Sequence, residues 1–312
     1  MRSDDWHLTE DVHVFHARAG KFLRSRPALH TMQLTVTEKY RANGVAAHGS
    51  EAPVFGRLER DGEVHAAFIQ RTPASFLSLA PATREQADTL ADRLAGLGHP
   101  VPGVTADHET STAFAEAWQR RSGAEPVATT RLHLYRLGTL TPQEPFPEGR
   151  GRVVEERDRE QLIRFCREFC VAVGEQVSID LIDAGAWDDS RFGDRHYTFW
   201  ETPDGTPVSM AAATSIVGGM IRVDPVYTPA HLRGRGYAGA VTVEASRAAL
   251  AAGATDVVLF TDPGNATSNA LYQRLGYVRL TDYTVYEFPS TAAEAEAEAE
   301  AETETETEAE AD

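Results

Sequence analysis

The chain is short of cysteine, of long apolar runs and of positive charge, and each shortage closes off a class of function. Only two cysteines occur among its 312 residues, Cys166 and Cys170. Two thiols four positions apart cannot staple a domain, and no His or Cys set at ligand spacing accompanies them. Neither a disulfide framework nor a metal site is expected. Within QLIRFCREFCVAV they read as buried apolar thiols on a helix. No run of 18 apolar residues is present, so no membrane-spanning helix and no membrane partner is expected. The start, MRSDDWHLTEDVHVF, has no basic segment followed by an apolar stretch, which points to a cytoplasmic protein. The formal net charge is −17, and no basic stripe of the kind that nucleic acid requires interrupts it. Nine Glu and one Asp in residues 291–312 account for ten of those charges, leaving −7 for the rest. That Ala, Glu and Thr tract repels itself and has no apolar face beyond alanine, so residues 289–312 are expected to form a disordered acidic tail.

The remainder carries the patterning of a folded protein, and it carries it twice. Residues 9–44 read as two helices broken near Pro27, and residues 54–73 as strand, Asp-Gly turn and strand. A short strand over 75–80, a helix ending near Gly98, a strand, a helix ending at Gly123 and a strand over PVATTRLHLYRL follow. The second half repeats that order: helices after GRVVEER, a hairpin through the Asp204–Gly205 turn, a strand, a helix to Gly253, a strand, a helix to Gly276 and the last strands. Order recurs while letters do not, which suggests two tandem copies of one α/β (α+β) fold. Residues 137–150, with three prolines and two glycines, read as the linker between a domain at 1–136 and a domain at 151–288.

The most informative phrase is VYTPAHLRGRGYAGAVTVEASRAAL, residues 226–250. A β-branched strand enters a glycine-rich turn that opens an alanine-rich helix. Gly234 and Gly236 let the backbone approach a ligand closely. The first helical amides have no partner within the helix, and the helix dipole adds partial positive charge there, so a pyrophosphate would meet several donors at once. Arg233 and Arg235 add charge that can pair a phosphate or stack on an adenine. The GxxxxGK[ST] pattern of a P-loop is absent. Gly234, Gly236 and Gly239 do spell GxGxxG, but the strand before them belongs to an antiparallel hairpin and Asp256 begins a strand, so a nicotinamide enzyme is disfavoured.

The phrase resembles the acetyl-CoA signature of the GNAT (N-acetyltransferase) superfamily, in which Gln or Arg is followed at fixed spacing by Gly and by Gly or Ala. Arg233, Gly236 and Ala238 fill those places. Downstream, NATSNALYQRLGY resembles the family's second block, with Asn265, Ser268, Leu271, Tyr272, Arg274, Gly276 and Tyr277 in register. The resemblance covers roughly residues 150–288, and VYTP with the degenerate first half looks like the glycine N-acyltransferase-like branch and its tandem-domain relatives. It implies two tandem GNAT-like domains, each a mixed, mostly antiparallel sheet flanked by helices, with the N-terminal copy lacking the phosphate loop. It also implies acetyl-CoA as cosubstrate, no metal, and a small-molecule or peptide amine as acceptor. By the same resemblance, Val226, Tyr227 and Thr228 line the pantetheine, Arg233, Gly234, Arg235, Gly236, Tyr237 and Ala238 hold the pyrophosphate, and Asn265 and Ser268 contact the cofactor arm. Tyr272 would protonate the leaving thiolate.

Direct transfer needs no covalent enzyme intermediate, because a thioester is already activated, so positioning supplies most of the rate. It asks for a deprotonated amine, a donor to the developing oxyanion and an acid for the thiolate. Many members of the family place a Glu on the fourth strand, but here MIRVDPVYT offers only Asp224. Asp224 is therefore the first candidate base, with Glu201, His196 and His231 behind it. Tyr272 can equally be a packing residue beside Leu271 and Leu275, and Asn265 an ordinary helix N-cap. The first half, reading SFLSLAPATREQADTL at the matching place, is expected to bind no cofactor. The rival to an acyltransferase is a non-catalytic acyl-CoA-binding sensor or scaffold.

Overall fold

The computed structural model describes residues 5–44, 52–189 and 192–289. The acidic tail lies outside the described residues. The chain divides into two compact units, one made of residues 1–132 with 281–312, the other of His133–Leu280.

The first unit begins with β1 (Asp5–Thr9) and continues with α1 (Val12–Ser25), α2 (Thr31–Asn43), β2 (Val54–Arg60), β3 (Glu63–Gln70), β4 (Leu77–Leu79), α3 (Arg84–Gly96), β5 (Gly103–Asp107) and α4 (His108–Ser122). Asp11 caps α1 by accepting from the amides of His13 and Val14. Asp61, at φ 52°, and Gly62, at φ 81°, make the tight turn of the β2–β3 hairpin. Strands pair antiparallel in the order β1-β2-β3-β4, and β4 then pairs parallel with β5. The core forms where one face of this sheet meets α3 and α4, around Phe68, Leu77, Leu79, Leu90, Leu94 and Phe114, all buried. Each such side chain contributes roughly 1.5–3 kcal/mol by leaving water.

The second unit repeats the layout. It holds β7 (Arg150–Val153), α5 (Arg159–Val173), α6 (Gln176–Asp183), β8 (His196–Glu201), β9 (Pro207–Ala213), β10 (Met220–Tyr227), α7 (Tyr237–Ala251), β11 (Asp256–Thr261) and α8 (Ala266–Arg274). Strands β7 to β10 are antiparallel neighbours in chain order, and β10 then pairs parallel with β11. Both units thus carry two helices between strands one and two, a single parallel pair between strands four and five, and a helix bridging that pair. The mixed, mostly antiparallel sheet flanked by helices is the expected fold class.

The last strand of each unit comes from the other half of the sequence. β6 (Val127–Leu137) follows α4, yet its end pairs antiparallel with β11, from His133 opposite Thr261 to Arg136 opposite Val258. β12 (Tyr277–Glu287) pairs at its far end with β5, from Tyr283 opposite Asp107 to Glu287 opposite Gly103. Packing follows the same exchange: Tyr135 and Leu137 belong to the core around α7, while Phe288 packs with Phe114 and Trp118. The sequence reading divides the chain at 137–150; the compact units divide at His133 and again at Thr281. Residues 137–150 lie along the second unit. Gly138 N donates to Gly276 O at 2.9 Å, Thr141 N donates to Leu275 O at 3.0 Å, and Phe146 packs on Trp200 at 5.7 Å between ring centroids.

Two expectations at the element scale are corrected. The segment DWHLT forms the edge strand β1 where no strand was expected, and YVRL with TDYTVYEF forms one continuous strand, because nothing between Leu280 and Thr281 breaks the extended backbone.

Candidate functional site

The sheet of the second unit opens where β10 and β11 part. Their parallel pairing joins Met220, Ile221 and Arg222 to Asp256, Val257 and Val258, and then stops. Beyond it β11 turns its other edge to β6, while β10 runs on beside β9 through a bulge between Val223 and Val226. The bulge contains Asp224 and Pro225. A strand edge left without a neighbour exposes peptide donors and acceptors to whatever enters the gap. Val226 is half-buried there opposite Ala211.

At the mouth of the gap the chain turns into α7. Ser209 Oγ ties the end of β10, donating to Tyr227 O at 2.9 Å and sharing a hydrogen bond of 2.8 Å with Thr228 Oγ1. Arg233 Nε donates back to Thr228 O at 3.0 Å, which closes the loop on itself. Gly234 sits at φ 77° with open space where a Cβ would be, and Gly236 at φ 84° is the N-cap of α7. No side chain caps that helix, so its first amides stay available. Arg233, Gly234, Arg235 and Gly236 are exposed, and Tyr237 and Ala238 half-buried. The corresponding helix of the first unit differs in chemistry. Thr83 Oγ1 accepts from Gln86 N and Gln86 Oε1 accepts from Thr83 N, a capping box that consumes donors at that terminus.

This surface fits a pyrophosphate joined to an extended, amide-bearing arm. The loop offers uncapped helix amides, two glycines in the left-handed region and two arginines, and the gap behind it offers a free strand edge.

Tyr272 lies on α8, 8% exposed, with its ring edge-on to Tyr277 at 5.9 Å. Burial first, then the neighbouring Tyr277 and Asp224, push its phenol far above the usual range. Its hydroxyl makes no hydrogen bond to a described residue, yet it is not among the sealed-in polar atoms. Asp224 and Tyr272 are therefore close enough to sense each other's charge, although they lie on different elements. Asn265 caps α8 by accepting from Ser268 N at 3.0 Å, so its side-chain oxygen is engaged within its own helix. Tyr227 points away from the gap into α5, where its hydroxyl donates to Glu168 at 3.0 Å. Burial and that carboxylate push the phenol up to about 12.

The lesser base candidates sit in other settings. Glu201 is buried in an ion cluster, 2.6 Å from Arg152 and 3.7 Å from Arg150, and lies some 17 Å along β8 from His196. His196 is exposed, 3.1 Å from Ser215 Oγ, and His231 is exposed in the turn before the loop. A residue that sequence reasoning missed stands beside Asp224: Arg195, whose Nη2 is 3.9 Å from Asp224 Oδ2. It lies in FGDRHY, where no motif or periodicity marks it. Both cysteines are buried, Cys166 Sγ lying 3.6 Å from Tyr197 Oη. Among the described residues no three His, Cys, Asp or Glu side chains converge as a metal site, and no helix is long and apolar enough to cross a membrane.

Residues 160–277 match the model of the Acetyltransferase (GNAT) family. Among solved structures, a GCN5-related N-acetyltransferase from Kribbella flavida is 21% identical over 82% of this chain and 96% of its own, with a TM-score of 0.50. A GCN5-related N-acetyltransferase from Sphaerobacter thermophilus is 17% identical over 93% and 98%, at 0.54. A tandem GNAT protein from the clavulanic acid biosynthesis pathway is 12% identical over 92% and 100%, at 0.53. No curated protein matches. The fold is that of the GNAT acetyltransferases.

Proposed function

We propose that this chain is an N-acyltransferase that moves an acyl group, acetyl being the expected one, from acyl-CoA to the nitrogen of an amine. One observation carries the reading: the uncapped N-terminus of α7, behind Gly234 and Gly236, stands at the mouth of the gap between β10 and β11. When bound, acyl-CoA supplies an activated thioester carbonyl, and the protein's task is placement. Residues 233–238 hold the pyrophosphate through backbone amides. The edge of β10 at Val226 and Thr228 pairs the pantetheine amides, and an amide of that strand faces the carbonyl oxygen as it gains negative charge. Asp224 seats the amine and accepts its proton, directly or through water. Tyr272 gives a proton to sulfur as the C–N bond forms and the C–S bond breaks; the proton lost by nitrogen restores the balance. Asn265 and Ser268 border the cofactor arm at the start of α8. The second unit carries this site. The first is a copy of the fold without the phosphate loop, a tandem arrangement that supports placement near the glycine N-acyltransferase-like branch.

Calorimetric titration of acetyl-CoA into the full chain tests the reading, with one-to-one binding at micromolar concentration expected. Absence of binding would overturn it. Binding without CoA release in the presence of any amine would favour the sensor or scaffold role instead.

A further inference from the structure

Helices α1 and α2 of the first unit carry a charge that the whole-chain balance hides. Residues 12–43 hold six Lys and Arg against one carboxylate, Glu38, in a protein of net charge −17. The counterpart helices of the second unit, residues 159–183, hold three against five. Two of those three arginines are matched, Arg159 lying 2.7 Å from Asp188 and Arg167 2.7 Å from Asp183. On α1, Arg18 has such a partner in Glu59 at 2.8 Å. Lys21, Arg24 and Arg26 are exposed and meet no carboxylate among the described residues.

Two of these cations converge. Arg24 Nη1 lies 3.0 Å and Arg41 Nη1 3.5 Å from one atom, His16 Nε2. A guanidinium cannot accept, so the imidazole is the acceptor for both and is neutral. Burial first, then Arg41 and Arg24, hold its pKa below the usual histidine value. Gly20 forms the floor: a Cβ there would stand 3.1 to 3.2 Å from the Arg24 guanidinium nitrogens and from His16 Nε2. Glu38 answers Arg41 at 2.7 Å, and no described carboxylate answers Arg24. Neighbouring positive charges repel, and an anion laid across them relieves the repulsion.

The chain itself supplies a polyanion. From Glu294 to Asp312 every second residue is acidic, nine Glu and the Asp in unbroken alternation. An extended run of that kind turns all its carboxylates to one face, about 6.8 Å apart. It also sets out from the right end of the unit. β12 finishes opposite Gly103, at the start of β5. Through the pairing of β5 with β4, β3, β2 and β1, that is the end at which β1 finishes and α1 begins. Arg41, near the end of α2, returns there to reach His16. Crossing from β12 to β1 takes five strand spacings, about 24 Å, and residues 290–312 reach about 75 Å when extended.

We propose that the acidic run docks along α1 as a latch within the first unit, its carboxylates seated by Arg24 and Arg41 with Lys21 and Arg26 alongside. The proposal is independent of the acyl-transfer reading. Docked, the run neutralises this basic face and closes it to nucleic acid and other polyanions.

The test places a nitroxide at Ala301→Cys in the full chain, where buried Cys166 and Cys170 are shielded from the label, and reads the backbone amide signals. Signals of α1 and of the end of α2 should lose most of their intensity at low salt. They should recover at ~0.5 M salt, where the screening length falls below about 5 Å. Arg24→Gln with Arg41→Gln should restore them, while Arg24→Lys with Arg41→Lys, which keeps both charges, should not. Gln in place of the nine glutamates from Glu294 to Glu310 should restore them equally. That change lies outside the described residues, so a misfolded helix pair cannot imitate its effect. Broadening spread evenly over the surface, or unmoved by either set of substitutions, would overturn the proposal. So would broadening carried from a labelled chain to an unlabelled, nitrogen-15 chain mixed with it, which would give the run to a second copy. Helix signals untouched by the label yet shifted by added tripolyphosphate would assign the face to an outside polyanion, against the latch.

Discussion

At Gly236 the side chain is a hydrogen atom, and the backbone stands at φ 84°. A Cβ there would meet only Pro147, no closer than 3.7 Å, so space is not the constraint. The constraint is conformation: an L-residue in this region costs about 1–2 kcal/mol and relaxes by turning the amides aside. Gly236→Val should therefore weaken acetyl-CoA binding at least about tenfold, equal to the loss of one good charge-assisted hydrogen bond, while thermal unfolding moves by only a few degrees. Unchanged affinity in titration would sink the loop assignment. Tyr272 tests the chemistry itself. Because burial raises its phenol well above the ordinary value, it keeps its proton throughout the working range. The rate should then show no loss of an acid on the alkaline side below about pH 10. Tyr272→Phe should cut kcat about 10²-fold, with acetyl-CoA affinity nearly unchanged. Equal turnover by this variant would mean that the ring only packs against Tyr277.

Among the elements, the β7–β8 edge is held by an ion cluster that responds to acid. Arg152 pairs Asp158 and buried Glu201, and its guanidinium holds the Asp158 carboxyl down to about 2. A depressed carboxylate contributes stability that is complete above its unfolded value near 4 and is lost as pH falls through the folded value. The apparent melting temperature should fall between about pH 5 and pH 2. Arg152→Met should flatten that dependence, with an effect on the order of 1 kcal/mol once solvent screening is allowed for; a melting profile as steep as wild type would contradict it. Most such elements were legible locally. Asp61-Gly62 and Asp204-Gly205 name their hairpins, Gly123 and Gly174 end their helices in the left-handed region, and the run before Tyr237 names the uncapped helix. What was not legible depends on partners distant in sequence. Alternation in RLHLYRL fits an edge of either sheet, and DWHLT is too short for its pattern to speak. Arg195 acquires meaning only when the β10 bulge brings Asp224 beside it.

At the scale of the whole molecule, the exchanged strands make the two halves mutually dependent. A chain cut after Leu280 lacks the part of β12 that pairs β5, together with Phe288, which closes the core around Phe114 and Trp118. It should lose the unfolding transition of the first unit when followed by calorimetry. Residues 151–288 expressed alone lack Tyr135 and Leu137, and β11 loses its pairing with β6. That fragment should be less stable than the second unit in the full chain by several kcal/mol, the scale of two lost core side chains, and independent, full-stability folding by either piece would refute the dependence. Exchange also sets an order on synthesis. The first unit is spelled out by residue 132 except for its final strand, and that strand is the last of the described elements to be made. At about 5–20 residues per second, the newborn sheet waits roughly ten to thirty seconds with β5 as an open edge. Through that interval the chain on the ribosome offers a ready template to any passing strand, so conditions that slow translation late in the message should aggregate this protein more than those that slow it early.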